Sequence, residues 1–151
     1  EAEAIARWVE QNLGAIVGAY GARDDDAVLS LIGIVTPFRA QSAAVAQALR
    51  ARGLPPFTVG TVHSLQGAER ALVIFSPTYS ASERPGRLFF DIGPNMLNVA
   101  VSRAKDHFIV IGDPSIICER NAWAPSSVLA KHLTHLHEAP RLTISSGARL
   151  Q

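Results

Sequence analysis

The chain has 151 residues, 48% of them apolar and 18% charged, which fits one ordinary globular domain burying roughly two-thirds of its unfolded surface and excludes a disordered chain. A formal net charge of +1 excludes a global electrostatic pull toward nucleic acid, so any such site must be local. The single Cys118 cannot close an internal disulfide, and no secretory segment or run of about eighteen apolar residues is present, so the expectation is a soluble, reducing, cytoplasmic compartment and no membrane.

Ile5, Trp8, Val9, Leu13, Ile16, Val17 and Tyr20 recur at helical spacing and predict an amphipathic helix. Turn-like residues from Gly21 to Asp26 lead into Val28-Leu29-Ser30-Leu31-Ile32-Gly33-Ile34-Val35, whose near-continuous apolar character predicts a strand buried on both faces. Thr36 as N-cap and Pro37 in the first turn predict a helix through the Ala-rich segment Phe38 to Arg52, with Gly53 as its stop. After the rigid connector Leu54-Pro55-Pro56 come a short strand near Phe57 to Val62 and a stronger one at Ala71 to Ser76, separated by a polar turn at Gln66-Gly67. Pro77 to Pro94 is the longest irregular stretch. Asn95 to Lys105 reads as a helix with Met96, Leu97, Ala100 and Val101 inward, and His107 to Ile111 as a buried strand. Asp113-Pro114 caps a further helix, and Ser126 to Glu138 forms another with Val128, Leu129, Leu133 and Leu136 on one side. Residues 1–138 therefore read as one domain and 139–151 as a tail with no clear packing partner. The chain opens at Glu1 without Met, and Met96 is its one Met, as expected of a piece of something longer or of a processed chain.

Apolar strands alternating with helices predict an α/β fold with a mostly parallel sheet, helices on both faces and right-handed crossovers. In such sheets ligands sit outside the carboxyl ends of the strands, where Thr36 to Arg39, His63 to Gln66 and Gly112-Asp113 are expected to fall.

Local sequence leaves each of these residues a plain reading. Arg39 fits a solvated first helical turn, Gly67 a simple turn, Glu69 a surface charge, and Arg103 with Lys105 a solvated basic face. A chemical reading is also open, because a guanidinium stays charged and donates two parallel hydrogen bonds to a phosphate. A metal-dependent nuclease finds little support, since Asp91, Asp106 and Asp113 fall on different elements. Among His132, His135 and His137 the first two share a helical face but no Cys is near, so no metal site is assigned. No Gly-x-x-x-x-Gly-Lys-Ser/Thr loop occurs, nor a pair of acidic residues after a strand to hold Mg²⁺, so the chain does not cradle ATP by itself.

Three blocks taken in order are more specific than any one of them. Ile34-Val-Thr-Pro-Phe-Arg-Ala-Gln41 resembles motif IV of the second, C-terminal RecA-like motor domain of the superfamily-1 helicases. Thr61-Val-His-Ser-Leu-Gln-Gly-Ala-Glu69 resembles motif V, and Asn98-Val-Ala-Val-Ser-Arg-Ala-Lys105 with Phe108 to Asp113 resembles motif VI. The resemblance runs from about Leu31 to Asp113 and is closest to the branch of the nonsense-mediated-decay helicases and their bacterial relatives. It implies a RecA-like fold, ATP and Mg²⁺ held mainly by a missing N-terminal RecA-like domain of the same parent chain, and single-stranded DNA or RNA as partner, with 5′ to 3′ movement favoured. It further implies that Gln66 and Gly67 line the nucleotide cleft, that Glu69 accepts a hydrogen bond from a ribose hydroxyl, and that Thr61 donates to a backbone phosphate. His63 stands where the family commonly has Asp and is assigned a nucleic-acid contact. Arg39, reaching a phosphate across the cleft, and Arg103, as an arginine finger, are the catalytic candidates. Ser102 stands where the family often has Thr and keeps the hydroxyl. A non-catalytic binding or scaffolding module derived from a motor domain is the alternative.

Overall fold

The computed structural model describes residues 1–65, 68–79, 88–91, 95–113, 116–117 and 124–133. Four strands, β1 (Ile32–Val35), β2 (Thr58–Gly60), β3 (Arg70–Phe75) and β4 (Ala104–Val110), form one parallel sheet in the order β2-β1-β3-β4. Helices α1 (Ala2–Tyr20), α2 (Asp25–Leu29), α3 (Arg39–Ala51), α4 (Asn95–Ser102) and α5 (Pro125–His132) and two 3₁₀ turns, Val62–Leu65 and Phe89–Asp91, complete the described elements.

Alternation along the strands divides the interior into two cores. Ile32, Ile34, Leu72 and Ile74 face Ile5, Val9 and Ile16 of α1 and Val45 and Leu49 of α3. Val35, Val73 and Phe75 face the other way, onto Val62 and Leu65 of the first 3₁₀ turn, Leu97 and Ala100 of α4 and Ala130 of α5. Both faces of the sheet are thus covered, as the near-continuous apolar strands require, and the α/β expectation holds. The α1 stripe is buried at the expected spacing, and Arg52 joins α3 to α1 through Glu3 at 3.2 Å and Glu10 at 2.6 Å. Gly53 stops α3 with a φ of 65°, a left-handed conformation that glycine adopts at no steric cost.

Several expectations differ. The strand expected from Val28 begins at Ile32, because the Asp24 carboxylate caps a short helix by accepting the Ala27 N–H at 2.8 Å, and Asp25 and Asp26 place negative charge in its first turn. Thr36 is not the cap of α3. Its N–H extends the sheet ladder to the Gly60 carbonyl at 3.0 Å, so the helix begins at Arg39 with Phe38 in an extended N-cap conformation. The helix expected to run to Lys105 ends at Ser102, since Ala104 is already paired with Arg70 in the sheet. Finally, Val101 and Val128 face outward at 39% and 47% exposure, whereas Ser126, Ser127 and Ala130 are the buried side of α5. Pro114, Leu136 and the 139–151 tail lie outside the described residues.

Candidate functional site

The carboxyl ends of the strands form one row across the sheet. The Thr36 N–H reaches the Gly60 carbonyl, the Ser76 N–H reaches the Val35 carbonyl at 2.9 Å, and the Ile111 N–H reaches the Phe75 carbonyl at 3.0 Å. Thr36 and Ser76 are fully buried, so their hydroxyls need partners. Thr36 Oγ1 lies 2.9 Å from Thr78 Oγ1, while the Ser76 hydroxyl donates to the Glu1 carboxylate and accepts from the Gln41 amide at 3.1 Å. The same carboxylate takes the Thr78 N–H at 2.9 Å. These bonds hold Thr78 at a φ of 67°, a conformation that costs a β-branched residue on the order of 1–3 kcal/mol.

The consequence is an aromatic cluster beside α3. Just past Thr78, the ring of Tyr79 meets Phe38 edge-on, with centroids 5.4 Å apart and planes at 80°. Phe89 lies 6.0 Å from Phe38 and is 46% exposed. Arg39, next in sequence to Phe38, is exposed and makes no hydrogen bond or ion pair among the described residues.

Thr61 sits at the end of β2 in the same row, half-buried, with its carbonyl accepting the Ser64 N–H at 2.8 Å. Val62 and Leu65 anchor the 3₁₀ turn in the core and leave His63 and Ser64 exposed. Gly60 makes this turn possible, since a Cβ there would lie 2.2 Å from Ser64 Oγ and 2.5 Å from Ser64 Cβ. Leu65 then packs over Gly33 in the middle of β1, so this connection crosses the sheet face from its carboxyl end to its amino end. Gln66 and Gly67 lie outside the described residues.

Glu69 and Arg103 emerge at that amino end. The Arg70 N–H donates to the Arg103 carbonyl at 2.9 Å, which sets the residues preceding β3 and β4 side by side. Glu69 faces Lys105 Nζ at 3.6 Å, but both side chains are more than half exposed and such a pair contributes little. Arg103 differs from the other arginines with a buried Nε. Arg52 and Arg70 also have an Nε without a partner, yet their terminal nitrogens are bonded, Arg52 to Glu3 and Glu10 and Arg70 to Thr58 and the Glu69 carbonyl. Arg103 is half-buried and its guanidinium has no partner among the described residues.

The expected site residues therefore fall into two groups. Arg39, Thr61 and His63 belong to the carboxyl end of the sheet, whereas Glu69 and Arg103 belong to the amino end. The six residues of β3 span roughly 16 Å at about 3.3 Å per residue, and the sheet does not bring Arg39 and Arg103 together. Phe38, Tyr79 and Phe89 were not singled out by sequence. Phe38 lies inside the motif IV block, which was the available signal, while Tyr79 and Phe89 lie in the irregular stretch.

Residues 1–115 match the family model described as an AAA domain. The Regulator of nonsense transcripts 1 homolog of Drosophila melanogaster is 34% identical over 98 residues, covering 61% of this chain and 8% of that protein. The homolog of the same name from Neurospora crassa is 30% identical over 115 residues, covering 72% of this chain and 10% of that protein. The DNA polymerase alpha-associated DNA helicase A of Schizosaccharomyces pombe is 37% identical over 86 residues, covering 57% of this chain and 13% of that protein. The matched region is thus a small part of each of these relatives.

Proposed function

This chain belongs to the AAA domain family and is a motor domain of the superfamily-1 helicases, in their nonsense-mediated-decay-like branch, and on that premise we propose that it is the second of two motor lobes, closing over ATP held by the first. The observation that carries this reading is the Arg103 guanidinium, half-buried with a solvent-inaccessible Nε and no partner among the described residues. An N–H shut off from water without a partner is costly, and the rest of the half-buried guanidinium is unpaired among the described residues, so its position at the amino end of the sheet near Glu69 fits a group that an incoming anion completes.

In this reading the triphosphate of ATP is the anion. Arg103 lies at the junction of α4 and β4, fixed by its own backbone on both sides: its N–H bonds the Ala100 carbonyl at 3.2 Å and its carbonyl takes the Arg70 N–H. Lobe closure brings the guanidinium to the phosphoryl group, where its planar fork stabilises the charge that spreads over the transferring oxygens. Glu69 accepts from a ribose hydroxyl, exchanging a weak contact with Lys105 for that bond, and Gln66 and Gly67 are assigned to nucleotide binding on the motif V resemblance alone. Mg²⁺, which would neutralise phosphate charge, belongs to the first lobe, and no residue of this chain is assigned to it. The carboxyl end of the sheet, with Thr61 and His63, grips the backbone of single-stranded DNA or RNA. Opening and closing of the lobes alter that grip and move the strand. Arg39, on that same end, joins the strand contacts and leaves Arg103 as the catalytic arginine. We place this motor in the cytoplasm and take residues 1–138 as the lobe.

The test is turnover by the full-length protein that carries this domain. Arg103→Ala should lower kcat by roughly 10³ to 10⁵ with ATP affinity changed far less, the magnitude of a finger. Retained turnover in a folded Arg103→Ala protein would remove the catalytic role and leave a binding or scaffolding module.

A further inference from the structure

We infer that Phe38, Tyr79 and Phe89 form a platform on which a base of the single strand stacks, with Arg39 at its rim on the phosphate side; this rests on the motor reading above. Phe38 and Phe89 lie outside both buried cores, and Phe89 is 46% exposed, so neither ring is explained by packing of the sheet. Their planes are inclined by 33° at 6.0 Å, while Tyr79 abuts Phe38 edge-on at 5.4 Å and its hydroxyl accepts the Phe89 N–H at 3.3 Å. Tyr79 thus braces the Phe38 ring and the Phe89 backbone. An aromatic face held in this way offers a π-surface to any base, at little entropic cost because the rings are already positioned.

Position and charge identify the occupant. The rings stand at the carboxyl ends of β1 and β3, in the row that contains Thr61 at the end of β2, so a strand lying across this edge passes the hydroxyl donor and the platform in succession. Arg39 adjoins Phe38 and has no carboxylate partner among the described residues, which leaves its charge for a phosphate. An apolar protein segment would cover the rings but leave that guanidinium unused. Arg39 is therefore a strand-binding residue.

The experiment measures binding of the nucleotide-free full-length protein to a thymidine 12-mer and to an abasic strand of the same length. The wild type should prefer the base-bearing strand by about five- to 150-fold for one stacked base. Phe89→Ala should reduce that ratio toward one through loss of thymidine affinity alone, and Phe89→Tyr should keep it. Phe38→Ala should act in the same direction; should it unfold in a thermal scan, the more exposed Phe89 carries the test. Arg39→Ala should weaken both strands alike and lower the salt slope by about one. Equal wild-type affinity for the two strands, or Phe89→Ala weakening both equally, would overturn the platform while leaving a backbone grip in place. Failure to bind either strand would overturn the motor reading itself.

Discussion

Among the described glycines, Gly60 is the one at which an added Cβ would meet the closest neighbour. Replacing it with Ala puts a methyl group 2.2 Å from Ser64 Oγ and 2.5 Å from Ser64 Cβ, more than 1 Å short of ordinary contact at 3.4 Å for the first of these. Rotating the hydroxyl away relieves one contact and leaves the other, since the Ser64 Cβ is fixed to the backbone of a turn whose neighbours Val62 and Leu65 are buried. The turn must therefore shift against the core, an overpacking cost of about 1–3 kcal/mol. At about 2–4 °C per kcal/mol for a chain of this size, Gly60→Ala should lower Tm by roughly 2–12 °C in a circular-dichroism melt. Ser64→Gly removes both contacts. It should destabilise the wild type modestly, by roughly 0.5–1 kcal/mol of backbone entropy, yet recover much of the loss in the double variant. A Gly60→Ala protein as stable as wild type, or losses that simply add in the double variant, would refute the steric argument. Because Thr61 follows directly, the same displacement should weaken single-strand binding.

Two further tests address the frame around the site. Asp91 accepts the Ser126 N–H at 2.8 Å and the Ser126 hydroxyl at 2.6 Å, fastening the second 3₁₀ turn to α5; Asp91→Ala should cost about 1–3 kcal/mol and speed amide exchange across 126–130, and unchanged exchange would contradict that fastening. The Tyr20 phenol is pushed up to about 12 by burial first, then by its hydrogen bond to Asp106 and that residue's charge. Since the folded value lies above the ordinary 10.0, its contribution is fully present below pH 10 and is lost as pH rises through 12. Urea midpoints of wild type should therefore fall more steeply than those of Tyr20→Phe over that window, and parallel curves would remove the linkage.

The parts of the fold legible in sequence were those where hydrophobic period and backbone chemistry agree. The Ile32 to Val35 run, the α1 stripe and the Gly53 stop each carry one unambiguous signal. The start of β1 was hidden because Val28, Leu29 and Leu31 look like strand residues, and only the Asp24 cap, a tertiary-independent bond to Ala27, turns the first two into a helix. The α4–β4 junction was hidden for the opposite reason. No Gly or Pro marks it, and pairing of Ala104 with Arg70 across the sheet decides where the helix ends.

For the candidate site, the motif blocks single out Thr61, Glu69 and Arg103 as candidates but do not show the division between the two ends of the sheet. That division follows from the crossover over Gly33, which carries the chain from Thr61 at one end to Glu69 at the other. Nor could spacing show that the Arg103 guanidinium lacks a partner while Arg52 and Arg70 have theirs, or that parallel topology gathers Phe38, Tyr79 and Phe89. Such features depend on which distant segments meet.

The most direct test of a two-lobe motor completed by this domain is kcat for single-strand-stimulated ATP hydrolysis in Arg103 variants of the full-length protein. Arg103→Ala should lose roughly 10³- to 10⁵-fold in kcat, about 4–7 kcal/mol, where an exposed arginine costs within about half a kcal/mol of stability. Arg103→Lys should recover little, because lysine keeps the charge without the planar fork. Near-normal turnover by the folded Ala variant would contradict the assignment.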